Sequence, residues 1–242
     1  MKFQTIIPAL MLGCALAAQA GVYDNSYSSG FANSGNVPVG NLSGWSDSET
    51  INGETGTIGS VSVDLNISGG FNGSLYGYLE YNGVLVTLLN RVGVVSGNPF
   101  GYGDSGFDIT LSSSGASSVH SYQSGSYSVN GSGQLTGTWQ PDGNTVSPLA
   151  SPSSFSSSPS GTGLNALNGF SPDGTWTLFL ADVVSGGGQP QVLSYSLDIT
   201  TVPEPVNLAL GIFGGVMGVV ALARSKRGVT ARSGAPCFPP AG

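Results

Sequence analysis

The sequence predicts an all-β fold, a sandwich of antiparallel sheets, framed by an N-terminal signal peptide and one C-terminal transmembrane helix. Three observations carry this expectation. Apolar residues alternate with polar ones, most clearly at Val61, Val63, Leu65 and Ile67, which is the period of a half-buried strand. Glycine is abundant, 39 of 242 residues, and turn signals recur about every ten residues. Between the two ends no segment keeps a helical period, so the strands must pack on one another as sheets.

The N-terminus is an export address. Lys2 supplies a positive start, residues 6–17 an apolar stretch, and Ala18-Gln19-Ala20 a small-residue cleavage site, so residues 1–20 are expected to be removed. Residues 21–57 are rich in Tyr, Asn, Ser and Gly and show little periodicity. They are expected to form an arm that enters the sheets near Asn36-Val37-Pro38-Val39, with Trp45 covering one edge of the core.

The first clear strand is 58–68, ended by Gly69-Gly70. Segments 74–81 and 84–90 flank Asn82-Gly83, a strong hairpin signal because a type I′ turn needs positive φ at both central residues. A Gly/Pro/Asn loop over 92–106 leads to strand 107–111, with Phe107, Ile109 and Leu111 on one face. Segments 119–122, 125–129 and 134–139 are further strand candidates, the last closed by the turn Pro141-Asp142-Gly143-Asn144. Residues 145–163 are a Ser/Pro/Gly loop whose composition places it on the surface. Strand 175–184 puts Trp176, Leu178 and Leu180 on one face, and strand 191–201 does the same with Leu193, Tyr195, Leu197 and Ile199. Gly186-Gly187-Gly188 is expected to join these two as a hairpin.

The chain then changes character. Val202-Pro203-Glu204-Pro205 precedes an uncharged apolar run, residues 206–223, and the basic cluster Arg224, Lys226, Arg227. As a helix that run would span roughly 27 Å, close to the hydrocarbon thickness of a bilayer. The basic cluster would stay on the cytoplasmic side. Residues 202–227 resemble the PEP-CTERM sorting signal of Gram-negative bacteria. The resemblance implies transient residence in the inner membrane, cutting by an exosortase-type enzyme near the Pro-Glu-Pro motif, and release to the cell surface or the exopolysaccharide matrix. Residues 228–242, with Cys237, extend beyond what such a signal needs.

A second resemblance lies in the cargo, residues 21–201. Leu135-Thr136-Gly137-Thr138-Trp139-Gln140-Pro141, then residues 164–169, then Gly174-Thr175-Trp176-Thr177-Leu178 with Asp182, then Tyr195-Ser196-Leu197-Asp198-Ile199, are similar to the proprotein-convertase P domain. That family implies a jelly-roll-like β-sandwich. The chain departs from it at Ser74, where an Asp precedes the following Leu, at Tyr195, where Trp is usual, and in the insertion-like loop 145–163.

Charge and composition narrow the chemistry. Of thirteen acidic residues only Glu204 lies outside the cargo, and of six basic residues only Arg91 lies inside it, a net charge of −11. Such a surface does not neutralise phosphates, which argues against nucleic acid as a partner. The two cysteines, Cys14 and Cys237, also lie outside it, so the sandwich stands without disulfides.

The cargo has no lysine, which excludes a P-loop and Schiff-base chemistry. One histidine, His120, without a Gly-x-Ser-x-Gly elbow argues for a structural histidine rather than a catalytic base. Glu49, Glu54 and Glu80 are not paired by any spacing a glycosidase would need. Trp176 shares its face with Leu178 and Leu180 and is expected to anchor the core.

Calcium needs only oxygen ligands. Asp104 and Asp108 around a Gly-rich turn, and Asp173 and Asp182 around a strand, are its candidate ligands, though none has the spacing of a dedicated calcium loop. The sequence therefore points to a non-enzymatic surface or matrix protein with a structural or adhesive role. The alternatives are a calcium- or carbohydrate-binding module, or an accessory domain of a secreted subtilisin-like protease system.

Overall fold

The computed structural model describes residues 20–159, 163–203 and 213–220. Residues 20–202 form one compact unit of nine strands in two sheets. The strands are β1 (Val22–Tyr27), β2 (Trp45–Ile51), β3 (Thr57–Ser68), β4 (Leu75–Tyr81), β5 (Val84–Asn90), β6 (Phe107–Ser112), β7 (Leu135–Trp139), β8 (Gly174–Asp182) and β9 (Gln191–Val202). One sheet has the order β1-β9-β3-β6-β7 and the other β2-β8-β4-β5. Their inner faces, Val61, Val63, Leu65, Leu197 and Ile199 on one and Leu79, Trp176, Leu178 and Leu180 on the other, form the core.

The Asn82-Gly83 hairpin is present, with φ of 50° and 75° at its central residues and Tyr81 opposite Val84. Strands β3 and β6 keep the alternation read from the sequence, with Leu65 opposite Ile109 and Val63 opposite Leu111.

The connection between β8 and β9 is not a hairpin. The two strands lie in different sheets, β8 between β2 and β4 and β9 between β1 and β3. Each has a complete apolar face, and the two faces are buried against each other across the core, so the 186–188 glycines carry the chain from sheet to sheet. Leu193 does not join Tyr195 and Leu197 inside. A bulge lets Asn66 pair with Ser194 and Ile67 with Val192, so Val192 is buried and Leu193 is 41% exposed.

Other expectations also change. The 21–57 arm contains two real strands, β1 against β9 and β2 against β8. Trp45 opens β2 and belongs to the core, its indole N–H donating to Ala32 O at 3.0 Å. Segment Val119–Ser124 is a 3-10 turn, and Val129 makes only an isolated bridge to Leu135. The sheets are not wholly antiparallel, because β7 runs parallel to β6. A parallel neighbour needs a long crossover, and residues 113–134 supply it.

Strand β2 lies at a sheet edge and turns Asp47 and Glu49 toward the inner side, in register with Leu178 and Trp176. Tyr195 donates its hydroxyl to Asp47 at 2.8 Å. Inward carboxylates on an edge strand oppose pairing with another chain. Burial and the neighbouring Asp47 and Glu49 carboxylates hold the Tyr195 hydroxyl well above the usual range.

The Pro-Glu-Pro border is described only in part. Val202 ends β9 and is exposed, and Pro203 follows it. Ala20 precedes β1. The readings at Ala18, Glu204, Pro205, Arg224, Lys226, Arg227 and the 228–242 tail lie outside the described residues. Of the apolar run 206–223, residues 213–220 are helical. Among the described residues no helix is long and apolar enough to cross a membrane.

Candidate functional site

His120 is 1% exposed and both of its ring nitrogens are engaged. Nδ1 lies 2.7 Å from Asp142 Oδ2, and Nε2 lies 3.1 Å from Val94 O. Both partners are acceptors, a side-chain carboxylate on one side of the ring and a main-chain carbonyl on the other. Asp142 is fully buried and also accepts from the backbone N–H of Asn90 at 3.0 Å and from Asn144 N and Nδ2 at 3.0 and 3.1 Å. The 141–144 turn is therefore folded inward. Phe155 stacks beside His120 at 6.2 Å, so the Ser/Pro loop also contributes a buried side chain. Among the described residues no serine hydroxyl is hydrogen-bonded to the ring, and the set acts as a clamp on three loops.

Arg91, the one Lys or Arg of residues 21–201, plays a similar part. It is buried, with φ of 50°, and its guanidinium donates to the carbonyls of Gly73, Pro99 and Pro148 at 3.2 to 3.4 Å. Burial lowers its pKa. It leaves the outer sheet faces without a positive charge.

The four candidate calcium aspartates are not brought together. Asp104 accepts from Tyr122 Oη at 2.7 Å and Gln123 Nε2 at 2.8 Å. Asp108 accepts from Asn130 Nδ2 at 3.2 Å. Asp173 caps the backbone N–H groups of Gly53 and Glu54 at 2.9 and 2.8 Å. Asp182 sits at the opposite end of β8 from Asp173, about 30 Å away for an extended strand. Among the described residues no three acidic, histidine or cysteine side chains converge as a metal site. Calcium requires six or more oxygens around one point, and these residues do not provide it. The glutamates are likewise separate: Glu49 faces inward on β2, whereas Glu80, opposite Thr177, faces outward on β4.

Asp182 is the unusual one. It is fully buried, accepts from Val184 N at 3.2 Å through Oδ1, and its Oδ2 has no partner among the described residues. Burial pushes its pKa up to about 6. The folded state therefore holds a proton that the unfolded state releases near pH 4. This contribution to stability is complete below the unfolded value and is lost as pH rises through about 6, up to about 3 kcal/mol. Asp182→Asn is expected to raise the melting temperature at pH 7 and to remove this part of the pH dependence. Thermal melts of both forms between pH 4 and 7 check it. A variant that melts lower at pH 7 would mean that the carboxylate itself is needed there.

The outer face of the five-stranded sheet carries a different kind of surface. Ser26 of β1, Ser196 of β9, Asp64 of β3, Thr110 of β6 and Thr138 of β7 stand in register as one row. Ser194, Asn66, Asp108 and Thr136 form the row beside it. Asp64 accepts the Thr110 hydroxyl at 2.5 Å through Oδ1 and the Ser196 hydroxyl at 2.9 Å through Oδ2. All of these short side chains except Thr136 and Thr138 of β7 line an open groove of about 490 Å³, within the size range of small-ligand sites. On its far side Asp24 lies opposite Asp198. Burial, then Asp64 and Asp24, raise the pKa of Asp198.

Sequence reasoning did not find this groove, because its residues alternate with core positions and look like any solvated strand face. The signal that was available is the run of only short polar residues at the outward positions of three neighbouring strands.

No protein-family model matches the chain, and no curated protein matches it. Among solved structures it is similar to two crystal structures of a serine protease from Aeromonas sobria. One is the protease (ASP) in complex with the chaperone (ORF2), at 14% identity and a TM-score of 0.44, covering 76% of this chain and 27% of that chain. The other is the serine protease of Aeromonas sobria, also at 14% identity, with a TM-score of 0.42, covering 77% of this chain and 28% of that chain. The chain thus matches only about a quarter of the length of either structure.

Proposed function

We propose that the chain is an exported, non-enzymatic surface or extracellular-matrix protein, a PEP-CTERM cargo that an exosortase-type enzyme separates from its apolar segment near Pro203, Glu204 and Pro205. Its β-sandwich, jelly-roll-like in the manner of P domains, serves a structural or adhesive role among exopolysaccharide.

The observation that carries this reading is the way the sandwich closes. Thr201 N donates to Gly21 O at 2.8 Å, and Gly21 N donates to Thr201 Oγ1 at 3.1 Å. Gly21 is the first residue left by cleavage after Ala20, and Thr201 stands just before Val202-Pro203. Both expected cuts thus fall immediately outside one hydrogen-bonded pair. Removing residues 1–20 and those after the motif takes no strand from either sheet. The α-ammonium that the first cut creates remains a donor for Thr201 Oγ1. The test is the pair of termini on exported protein: an N-terminus at Gly21 and a C-terminus within the motif.

A carbohydrate-binding role is the second reading, favoured by the open hydroxyl- and carboxylate-lined groove on the β1-β9-β3-β6-β7 sheet. The calcium-binding version has no convergent set of ligands behind it.

A further inference from the structure

We infer that the groove on the outer face of the five-stranded sheet binds a neutral hexose polymer, laid across the strands, and rejects polysaccharides that carry carboxylates. The inference rests on the matrix reading above only for the source of the polymer; the site itself rests on the groove.

The first argument is shape. A solvated sheet face normally carries long charged side chains of both signs. Here the outward positions that line the groove hold Ser26, Ser196, Asp64, Thr110, Asn66 and Asp108, whose polar atoms lie close to the sheet. At one margin Asn66 accepts from Gln134 Nε2 at 2.8 Å and Asp108 from Asn130 Nδ2 at 3.2 Å, while the short row Ser26, Ser196, Asp64 and Thr110 leaves a flat, hydroxylated ligand room to reach the floor. The second argument is spacing. Each row crosses strands in direct register, and strands lie about 4.8 Å apart. A polymer of sugar rings running along a row meets an oxygen or amide at every strand.

The third argument is hydrogen-bond capacity. A carboxylate offers about four acceptor positions and no donor. Asp64 has filled two of them with the Thr110 and Ser196 hydroxyls. Those hydroxyls, having donated, present lone pairs to the groove, as does Asp108. The groove is therefore rich in acceptors and needs a ligand rich in O–H donors. The fourth argument is charge. Asp24, Asp64, Asp108 and Asp198 share this sheet face, and Arg91, the one Lys or Arg of residues 21–201, is buried in carbonyl contacts elsewhere. An acidic polymer would meet like charge with nothing to offset it. An amine-bearing polymer would be attracted, but Asp64 is already held by two neutral hydroxyls, which suits neutral donors.

The whole chain, kept soluble in a mild detergent, is run through native gels containing a neutral glucan, mannan or galactan, polygalacturonate, or chitosan. The expected result is retardation by at least one neutral polymer at both low and high salt, and none by polygalacturonate. Ser26→Arg, at an exposed position on β1, fills the groove and is expected to weaken retardation more than tenfold. Asp108→Asn weakens it about tenfold by removing a charged acceptor. Glu80→Gln, the same charge change on the other sheet, leaves it unaltered. Melting temperatures of the three variants confirm that each is folded.

Retardation by no neutral polymer, or retention of Ser26→Arg at full strength, overturns the inference. So does binding to chitosan alone that disappears with salt, since that would be recognition by charge. None of these results changes the termini expected of the exported protein, so the two readings fail separately.

Discussion

Replacing Asp142 with alanine is expected to destabilise the fold by about 3–5 kcal/mol, a large part of the 5–15 kcal/mol that holds a typical domain. The carboxylate is fully buried and accepts four hydrogen bonds, from His120 Nδ1, Asn90 N, and Asn144 N and Nδ2. Alanine removes all of them, leaves two buried backbone N–H groups without an acceptor, and strands the imidazole of His120. The loss comes mainly from those orphaned partners rather than from the pair's own attraction. Asp142→Asn is expected to cost less. It keeps one oxygen for Asn144 but turns an amide N–H toward the backbone N–H of Asn90. Urea unfolding of the protein, followed by tryptophan fluorescence, measures the difference. A loss below about 1 kcal/mol for the alanine variant would contradict the clamp described here.

Trp176→Ala is the second large effect, also expected at about 3–5 kcal/mol. The indole is 1% exposed and stacks on Tyr81 at 3.8 Å with an interplanar angle of 11°. Its N–H donates to Pro172 O at 3.0 Å. Tyr81 in turn donates to Ser171 O and Asp173 O, so the pair pins the 171–173 turn onto the end of β8. Alanine leaves a cavity between the sheets and frees that turn together. Phenylalanine would refill most of the space and lose the hydrogen bond, so Trp176→Phe should cost clearly less. The urea midpoint, with an unchanged slope, reads both. Equal stability of wild type and Trp176→Ala would show that this residue is not the core anchor.

The strands that the sequence identified are those whose two faces see different solvents. From Val61 to Ile67 strand β3 alternates buried and outward residues because one face meets the core and the other water, and β6 follows it. Asn82-Gly83 marked its hairpin because the backbone there needs positive φ. What the sequence did not reveal was decided by partners far along the chain. Strands β1 and β2 lie at sheet edges, where burial is half-hearted and Ser, Asp and Glu are tolerated, so their periodicity is faint. Two amphipathic strands joined by glycines, β8 and β9, resemble a hairpin locally. Only the need to bury both apolar faces against each other sends them to different sheets.

The inward turn at 141–144 was hidden for a related reason. Asp and Asn in a Pro/Gly context look like surface turn residues, and here they are buried by accepting and donating hydrogen bonds to Asn90 and His120. The groove was hidden by its ordinariness: serine, threonine and aspartate at outward positions have no periodicity beyond the strand's own. Its definition needs the cross-strand register, which aligns Ser26, Ser196, Asp64 and Thr110.

The central claim is that residues 21 to about 203 are a complete sandwich delivered outside the cell and cut free of both ends. Intact-mass measurement of the protein recovered from the cell surface or medium tests it most directly. The account predicts a single species that begins at Gly21 and ends within Pro203-Glu204-Pro205. Exported protein that still carries residues 206–223 would contradict it.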